Sequence, residues 1–392
     1  MSGSIKQDGE DSMTSRCITA SLMFLIVLGS ASSSQAGSLR IFNDSNVDPN
    51  LIQRVRIVIG DDLQANDLQV PLDLGDPLDS ADGSFTIEFW LRANASDNPL
   101  GFGCGGGSPI DWINCPIVVD RDINGSGDYG KYGISVCNDG TIRAGFERNS
   151  PPAGVLTCTA PTNAYDGGWH HLAYTRNGTT GEACIYLDGV EGDCATGVGG
   201  PIAYDDRRSP TSPSGQDPTL VLGAEKHGFI WDGFTGWLDE FRFSDVVRYA
   251  PCGTGNTCFP VPTDPFGSDS NTVGLFHFDE GAPGAACSCA GPLLPLTSAG
   301  ACVTDSSSYA NHAECRYGLT GGNGGPVYSA ATPFPTQVPL FPGLGIGAPV
   351  LLLALVASGV RGSRARTRVR FGPAARGLLL LQRRFSRRGG RI

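Results

Sequence analysis

The sequence predicts an all-β protein that is rich in loops. Its 392 residues include 55 glycines and 27 prolines, which separate short runs of β-branched and aromatic residues. One run, residues 85–91, alternates strictly, so that one set of side chains should face a core. That set is Phe85, Ile87, Phe89 and Leu91. No long stretch between the two ends of the chain has the periodicity of a helix, which also favours the all-β class.

The first 36 residues have the features of a signal peptide. Arg16 precedes an apolar run at residues 18–28, and Ser-Gln-Ala at 34–36 fits a signal-peptidase site. The first twelve residues are acidic, which is unusual for a signal peptide, so translation starts at either Met1 or Met13. We therefore expect an exported protein, at the cell surface or in the periplasm.

Three successive strands are predicted between residues 168 and 194. They are Trp169–Arg176, Ala183–Leu187 and Val190–Cys194. The first is rich in β-forming residues, and the turn pairs Asn177-Gly178 and Asp188-Gly189 follow the first two strands.

The cysteines of the last hairpin favour one register over another. A two-residue loop would place Leu187 opposite Val190 and leave the cysteines out of register. A three-residue loop places Leu187 opposite Glu191 and Cys184 opposite Cys194. Because a disulfide needs Cα atoms within about 7 Å, we prefer the second register and predict this disulfide.

The other cysteines also indicate disulfides. Cys17 lies in the predicted signal peptide, which leaves twelve of the thirteen cysteines, and no zinc-type C-x₂-C pair occurs. Two further pairs are expected between near neighbours in an oxidising compartment. They are Cys104 with Cys115 and Cys252 with Cys258.

Charge is distributed very unevenly along the chain. Residues 37–360 hold 36 acidic and 15 basic residues, a net charge of about −21. The last 32 residues hold 11 arginines and no acidic residue. The acidic main part argues against nucleic-acid binding, which needs a basic face.

Three stretches carry a family resemblance. They are G-S-F-T-I-E-F-W-L-R-A at 83–93, W-H-H-L-A-Y with I-Y-L-D-G-V at 169–190, and F-T-G-W-L-D-E-F-R-F-S at 234–244. In this order they resemble laminin G-like, concanavalin A-like jelly-roll domains. The resemblance implies an antiparallel two-sheet sandwich over residues 37–250. Residues 251–332 would form a disulfide-stapled extension that either completes this sandwich or packs on its flank.

A loop after residue 119 has the pattern of a calcium site. Oxygen-bearing residues occupy its positions 1, 3, 5 and 9, glycine occupies position 6, and the backbone carbonyl of position 7 would add a ligand. These residues are Asp120, Asp122, Asn124, Ser126 and Asp128. Lys131 at position 12 excludes an EF-hand. The alternative is a polar hairpin loop without an ion.

Several other residues have both a functional and a structural interpretation. Trp90 could be a ligand platform, although packing under a loop is the preferred interpretation. His170 and His171 are adjacent on a strand and point to opposite faces, so packing is preferred for both. Asp239 and Glu240 stand where the resembling family has an acidic pair, which implies a structural or calcium-linked role for Asp239.

The C-terminal region predicts a membrane anchor. A Pro-rich spacer at 333–339 precedes an apolar segment at 340–360 that is long enough to span a bilayer. The arginine-rich tail, residues 361–392, should remain in the cytoplasm. This order resembles bacterial sorting signals of the PEP-CTERM and rhombosortase kind, although the P-E-P motif is missing.

Together these features predict a surface-tethered binding or adhesion module for glycan or protein ligands, with no catalytic residues. A glycoside hydrolase is the first alternative, but it needs two converging carboxylates. The E-x-D-x-E strand of related glucanases is missing, and Glu88 and Asp239 fall on separate strands. A purely structural envelope protein is the second alternative.

Overall fold

The computed structural model of the chain describes thirteen segments. They are residues 37–43, 52–58, 83–99, 111–121, 131–149, 152–158, 164–200, 219–225, 233–287, 302–310, 312–317, 322–323 and 325–334. The predicted signal peptide, membrane segment and arginine-rich tail lie outside these segments. Within them, no helix has the length and apolar character needed to cross a membrane.

Eight strands form the first antiparallel sheet. They are β1 (Ser38–Ile41), β3 (Phe85–Asn94), β8 (Asp166–Arg176), β9 (Glu182–Leu187), β10 (Val190–Thr196), β12 (Gly236–Ser244), β13 (Thr272–Phe276) and β16 (Val327–Ser329). Their order is β10-β9-β8-β3-β12-β1-β16, and β13 pairs with β12.

The other eight strands form the second sheet. They are β2 (Gln53–Val58), β4 (Ile117–Arg121), β5 (Lys131–Val136), β6 (Ile142–Asn149), β7 (Pro152–Cys158), β11 (Thr219–Leu222), β14 (Ala313–Tyr317) and β15 (Gly322–Asn323). Their order is β15-β14-β2-β11-β4-β5-β6-β7, again antiparallel. Short 3-10 helices cover Ala95–Asp97 and Asp111–Asn114.

The two sheets enclose one apolar core, which confirms the predicted sandwich. The predicted inward set of β3 is completely buried, at 0% exposure for all four side chains. Phe89 stacks on Phe241 of β12 with ring centroids 6.0 Å apart, and Phe85 meets Tyr174 of β8 edge-on at 5.6 Å. Burial of each such ring contributes about 1.5–3 kcal/mol, and β3 lies between β8 and β12 in the first sheet.

The β9–β10 hairpin corrects the predicted register. Leu187 lies opposite Val190, not Glu191, because the turn has two residues with positive φ, Asp188 at 52° and Gly189 at 75°. A β-bulge between Glu191 and Cys194 then shifts the pairing by one residue. Cys194 thereby reaches a position opposite Cys184, and the predicted disulfide joins them with Cα atoms 4.1 Å apart.

The predicted pairing of Cys104 with Cys115 is wrong. Cys115 is bonded to Cys137, with Cα atoms 4.9 Å apart. β4 and β5 are antiparallel neighbours, and Ile117 lies opposite Ser135. The residues just before β4 and just after β5 therefore meet across the sheet, which brings Cys115 and Cys137 together. Cys104 itself lies outside the described segments.

The strands that follow residue 250 belong to both sheets. β13 pairs with β12, β16 pairs with β1, and β14 pairs with β2. Within this region, the disulfide between Cys287 and Cys315 joins the chain that follows β13 to β14. The chain after residue 250 therefore supplies strands of the sandwich as well as a covering loop.

The covering loop, residues 245–271, links β12 to β13, and we call it the connector. It crosses the outer face of the first sheet, where Tyr249 and Phe259 stack at 3.7 Å and pack on Tyr186 of β9. The disulfide between Cys252 and Cys258 closes its first part. The backbone N–H of Gly253 donates to a carboxylate of β10. The connector is thus fixed to the sheet that it covers.

Candidate functional site

The outer face of the second sheet carries charged side chains in place of the apolar ones found on its inner face. In β2, Val55 and Ile57 belong to the core, so the arginines between and before them point outward. The same alternation applies to β14, β4, β5 and β6. We call this surface the arginine face; its outward side chains are Arg54, Arg56, Asp120, Ser135, Arg143, Glu314 and Arg316.

Strand pairing brings part of the arginine face into one row. Glu314 lies opposite Arg56, and Val221 of β11 lies between Arg56 and Asp120. The Arg56 Nη1 atom is 3.3 Å from Glu314 Oε1, and Arg316 also pairs with this carboxylate. One carboxylate therefore serves two guanidinium groups, all of them with exposures of 6% or less.

The pKa of Arg54 is affected both by burial and by the charges of its neighbours on this face. Burial, followed by the charge of Arg56, lowers the pKa of Arg54 to about 10, although Glu225 and Asp120 act in the opposite direction. Burial also lowers the pKa of Arg56, against the attraction of Glu314. Arg54 therefore remains cationic at neutral pH, and this face places positive charge within a strongly acidic part of the chain.

Two polar groups on this face are buried, and the described part of the chain offers them no hydrogen-bond partner. One is the Oγ of Ser135, which points outward from β5 and is completely buried. Trp112 belongs to the 3-10 helix that precedes β4, and its ring lies so close to Gly133 that a Cβ there would collide with it. Among the described residues, the Nε1–H of this completely buried indole also finds no acceptor.

The predicted calcium loop begins on the arginine face. Asp120 is completely buried at the end of β4, and its charge raises the pKa of Arg54. Asp122, Asn124, Ser126 and Asp128 lie outside the described segments, so the ligand set stays a prediction. Within those segments, the closest groups of metal-type ligands are each built around a disulfide, as with Glu191 beside Cys252 and Cys258.

The sequence interpretation did not identify the arginine face. A signal was present in Q-R-V-R-I-V and A-E-C-R-Y, where charged residues alternate with core residues. Only the fold places these two segments side by side, because β2 and β14 are about 260 residues apart in the sequence and adjacent in the sheet.

A second polar cluster lies on the outer face of the first sheet, beneath the connector. Glu88 is completely buried and accepts hydrogen bonds from Arg242 Nε at 2.8 Å, Tyr249 Oη at 2.7 Å and His171 Nε2 at 3.2 Å. Burial raises its pKa, but the hydrogen bond from His171 and the charge of Arg242 outweigh this, so the pKa is lowered. Glu88 is therefore an ionised, fully occupied carboxylate.

Trp90 adjoins this cluster and packs under the covering chain, as preferred from the sequence. It is 6% exposed, and its ring lies 5.4 Å from that of His171 and 5.7 Å from that of Phe334. It belongs to an apolar cluster with Phe266 of the connector and Leu275 of β13. The indole face is covered and does not form an open platform for a ligand.

The acidic pair of β12 forms a third cluster. Glu240 accepts hydrogen bonds from His277 Nδ1 and from the backbone N–H of Phe266, both at 2.7 Å. Asp239 is 2% exposed, and burial, followed by the charge of Glu240, raises its pKa to about 9. Through Glu240, the pair joins the connector and the residue after β13 to β12.

His170 lies at the rim of the first sheet, between two carboxylates. Its Nδ1 is 2.7 Å from Asp188 Oδ2 and its Nε2 is 3.1 Å from Asp166 Oδ1. The hydrogen bond with Asp188 is the main cause of its raised pKa, with burial acting in the opposite direction and Asp166 adding to the rise. The two adjacent histidines thus have separate carboxylate partners and do not share a site.

This arrangement predicts a pH-dependent contribution of His170 to stability. Its pKa is raised in the folded state, so the contribution is complete below the unfolded value of about 6.5 and disappears as pH rises through the folded value. Between pH 5.5 and 8.5 the wild type should lose about 0.5–1 kcal/mol of unfolding free energy relative to His170→Gln. Urea denaturation at both pH values measures this, and an equal change in both proteins would contradict it.

Comparison with known proteins identifies a domain in the chain. Residues 66–251 match the model of the concanavalin A-like lectin/glucanases superfamily. No curated protein sequence is significantly similar to the chain.

Solved structures with a similar arrangement include three from different sources. A SAP-like pentraxin of Limulus polyphemus is 12% identical, with a TM-score of 0.32 over 55% of this chain and 79% of that one. Mouse laminin α1 domains LG4–5 are 12% identical, with a TM-score of 0.28 over 52% of this chain and 45% of that one. The CBM40 of the Ruminococcus gnavus IT-sialidase is 14% identical, with a TM-score of 0.29 over 50% of this chain and 92% of that one. The chain thus covers less than half of the laminin structure.

Proposed function

Because the chain carries a concanavalin A-like, laminin G-like jelly-roll domain, we propose that it is an exported binding module that recognises glycan or protein ligands at the cell surface. A fold of this kind hosts many functions. The observation that carries this proposal is the match of residues 66–251 to the concanavalin A-like lectin/glucanases superfamily, on a chain whose two antiparallel sheets form a sandwich.

Export is supported by the disulfides. Four of them join cysteines within the described segments, and such bonds persist in oxidising compartments. We propose that the segment at 340–360 tethers the module to the membrane. Protease treatment of intact cells should then remove the folded domain. Protection that ends only when the cytoplasmic membrane is broken would contradict export.

The glycoside hydrolase alternative is less well supported. Its general acid needs a raised pKa and access to the substrate. Glu88 has a lowered pKa, is completely buried and holds Arg242, Tyr249 and His171. Asp239 has a raised pKa but is also buried, and it has a separate set of neighbours. We therefore favour binding without hydrolysis.

A glycan array tests the proposed function directly. The purified full-length chain should bind a restricted set of glycans, and reducing sugar should not be released from bound polysaccharides. Release of reducing sugar that is abolished by Glu88→Gln or Asp239→Asn would favour the hydrolase instead. Failure to bind any glycan or surface protein would favour the purely structural alternative.

The calcium loop yields a separate prediction. Three carboxylates within nine residues repel one another, and a divalent cation would relieve this repulsion while ordering the loop. A ligand at a hundredfold excess over its Kd adds about 2.7 kcal/mol to stability. Millimolar calcium should therefore raise the Tm, and Asp122→Ala should abolish most of the rise. Asp193→Ala, which removes an exposed carboxylate from β10, is the matched control. No rise in the wild type would show that the loop is a polar turn.

A further inference from the structure

We propose that a row of arginine and tryptophan side chains on the outer face of the first sheet binds an acidic polysaccharide, through acid groups carried on separate sugars. This inference rests on the proposed function and names a site and a class of ligand for it. Four strands contribute one residue each to this surface, which we call the Arg–Trp row. Its members are Arg40, Trp237, Arg92 and Trp169.

Strand pairing places the four side chains of the row next to one another. Arg40 of β1 lies opposite Trp237 of β12, and on its other side Trp237 lies opposite Arg92 of β3. Trp169 of β8 follows as the partner of Arg92. The neighbours of both arginines within their strands belong to the core, so the row points outward.

The Arg–Trp row is accessible to solvent, unlike the adjoining part of the same face. Arg40 is exposed, and the other three side chains are partly exposed. Trp90, the preceding outward residue of β3, is by contrast covered by Phe334 and packed against Phe266 of the connector. The covering chain therefore leaves the Arg–Trp row open to a ligand.

The two arginines of the row are positioned by an indole ring and not by carboxylates. The guanidinium carbon of Arg40 lies 5.1 Å from the ring centroid of Trp237, and that of Arg92 lies 5.2 Å from it. Arg92 Nε also donates to the backbone carbonyl of Gly167 at 2.7 Å. Within the described part of the chain, neither guanidinium forms an ion pair. In so acidic a chain, two accessible arginines without an acidic partner indicate a site for an external anion.

The spacing of the two guanidinium groups favours a chain of acidic sugars over a single small anion. Because β12 lies between β1 and β3, the arginines approach Trp237 from opposite sides and lie about 10 Å apart. One carboxylate or sulfate cannot reach both, whereas acid groups on two sugars of the same chain can. Each guanidinium can form paired hydrogen bonds with two oxygens of such a group.

A protein partner is less well supported because this surface lacks an apolar centre. Among the described residues, the large apolar side chains that are exposed are Phe42 and Tyr309, at 47% and 39%. The centre of a stable protein interface is usually apolar and well packed. A polar ligand with repeated negative charges therefore matches the row better than a folded protein does.

Isothermal titration calorimetry on the full-length chain tests the class of ligand. The probes are the hexasaccharides of galacturonic acid, chondroitin sulfate and neutral galactose, the single sugar galacturonic acid, and a glutamate hexapeptide. We expect at least one acidic hexasaccharide to bind tenfold or more tightly than the neutral one, and added salt to weaken that binding. The single acidic sugar should bind much more weakly, because it cannot reach both arginines.

Each contrary outcome has a defined meaning. Binding of neither acidic hexasaccharide, or equal binding of the neutral one, would overturn this proposal, while binding of other glycans on the array would leave the proposed function intact. Tighter binding of the glutamate peptide would assign the row to an acidic protein segment instead. Absence of binding to every sugar, including the glycan array, would overturn both proposals.

Charge-removing variants locate the site. Arg40→Gln and Arg92→Gln should each weaken binding of the acidic hexasaccharide roughly tenfold, and Arg40→Lys, which keeps the charge, should lose less. Arg248→Gln is the matched control, since this arginine pairs with Asp269 at the other end of β12. Circular dichroism and the Tm check that each variant is folded. Wild-type affinity in both test variants, or an equal loss in the folded control, would overturn the proposal.

Discussion

Replacement of Glu88 by alanine should lower the free energy of unfolding by about 3–5 kcal/mol. The carboxylate is completely buried and receives hydrogen bonds from a guanidinium, an imidazole and a phenol group. Its removal leaves the positive charge of Arg242 at a partly buried position without its main counter-ion, 2.7 Å away in the wild type. It also frees Tyr249, through which the connector is attached to the first sheet.

Two measurements separate this explanation from a simple loss of packing. Glu88→Gln keeps the shape and one acceptor oxygen, so its cost should be clearly smaller than that of Glu88→Ala. Combining Glu88→Ala with Arg242→Ala should recover part of the loss, because neither charge is then left alone. Strict additivity of the two single variants in urea denaturation would contradict a coupled pair.

The connector provides a second readout for the same variant. Because Tyr249 donates to Glu88 and stacks on Phe259, loss of the carboxylate should loosen the connector before the whole sandwich unfolds. Limited proteolysis should then cleave Glu88→Ala within residues 245–271 faster than the wild type. Equal cleavage rates at this segment would show that the hydrogen bond between Tyr249 and Glu88 does not hold the connector in place.

The second large effect concerns Asp239, where replacement by asparagine should change how stability depends on pH. Burial and the charge of Glu240 raise the pKa of Asp239 to about 9, so its carboxyl group is protonated at pH 7. Because the pKa is raised in the folded state, the stabilising contribution of this carboxyl group is complete below the unfolded pKa of about 3.9. It is lost as the pH rises through 9. The asparagine side chain is neutral at every pH, so Asp239→Asn should gain about 1–3 kcal/mol relative to the wild type between pH 5 and pH 9.

Asp269 offers a control of opposite sign. Hydrogen bonds from Arg248 hold the pKa of this carboxyl group well below its usual value, and the side chain is half-exposed. Its contribution is therefore present above the unfolded pKa and is lost as pH falls. Asp269→Asn should cost about 0.5–1 kcal/mol at pH 7, and less at pH 3. Chemical denaturation from pH 3 to pH 9 measures the stability of each variant relative to the wild type. If this relative stability rose with pH in both variants, the account of Asp239 would be contradicted.

The sequence by itself determined the local structure of many strands. In β3 the alternation of Phe85, Ile87, Phe89 and Leu91 identified the core face, because successive side chains of a strand point to opposite sides. Three motifs in order also indicated the jelly-roll fold. The pair Asp188-Gly189 indicated a hairpin at this point, and both residues adopt positive φ, although the preferred three-residue loop was one residue too long. These features depend on residues close together in the chain.

Only the tertiary structure decided which distant residues meet. The β-bulge before Cys194 places this cysteine opposite Cys184 in a register that the sequence had not predicted. The pairing of β4 with β5 brings Cys115 to Cys137, a partner that the spacing of the cysteines had not indicated. The arginine face formed because β14 pairs with β2 and β2 with β11. The alternation of polar and apolar residues along a strand predicts only that a side chain points away from the core. Strand order, which is set by burial of both sheets' apolar faces at once, determines the neighbours it meets there.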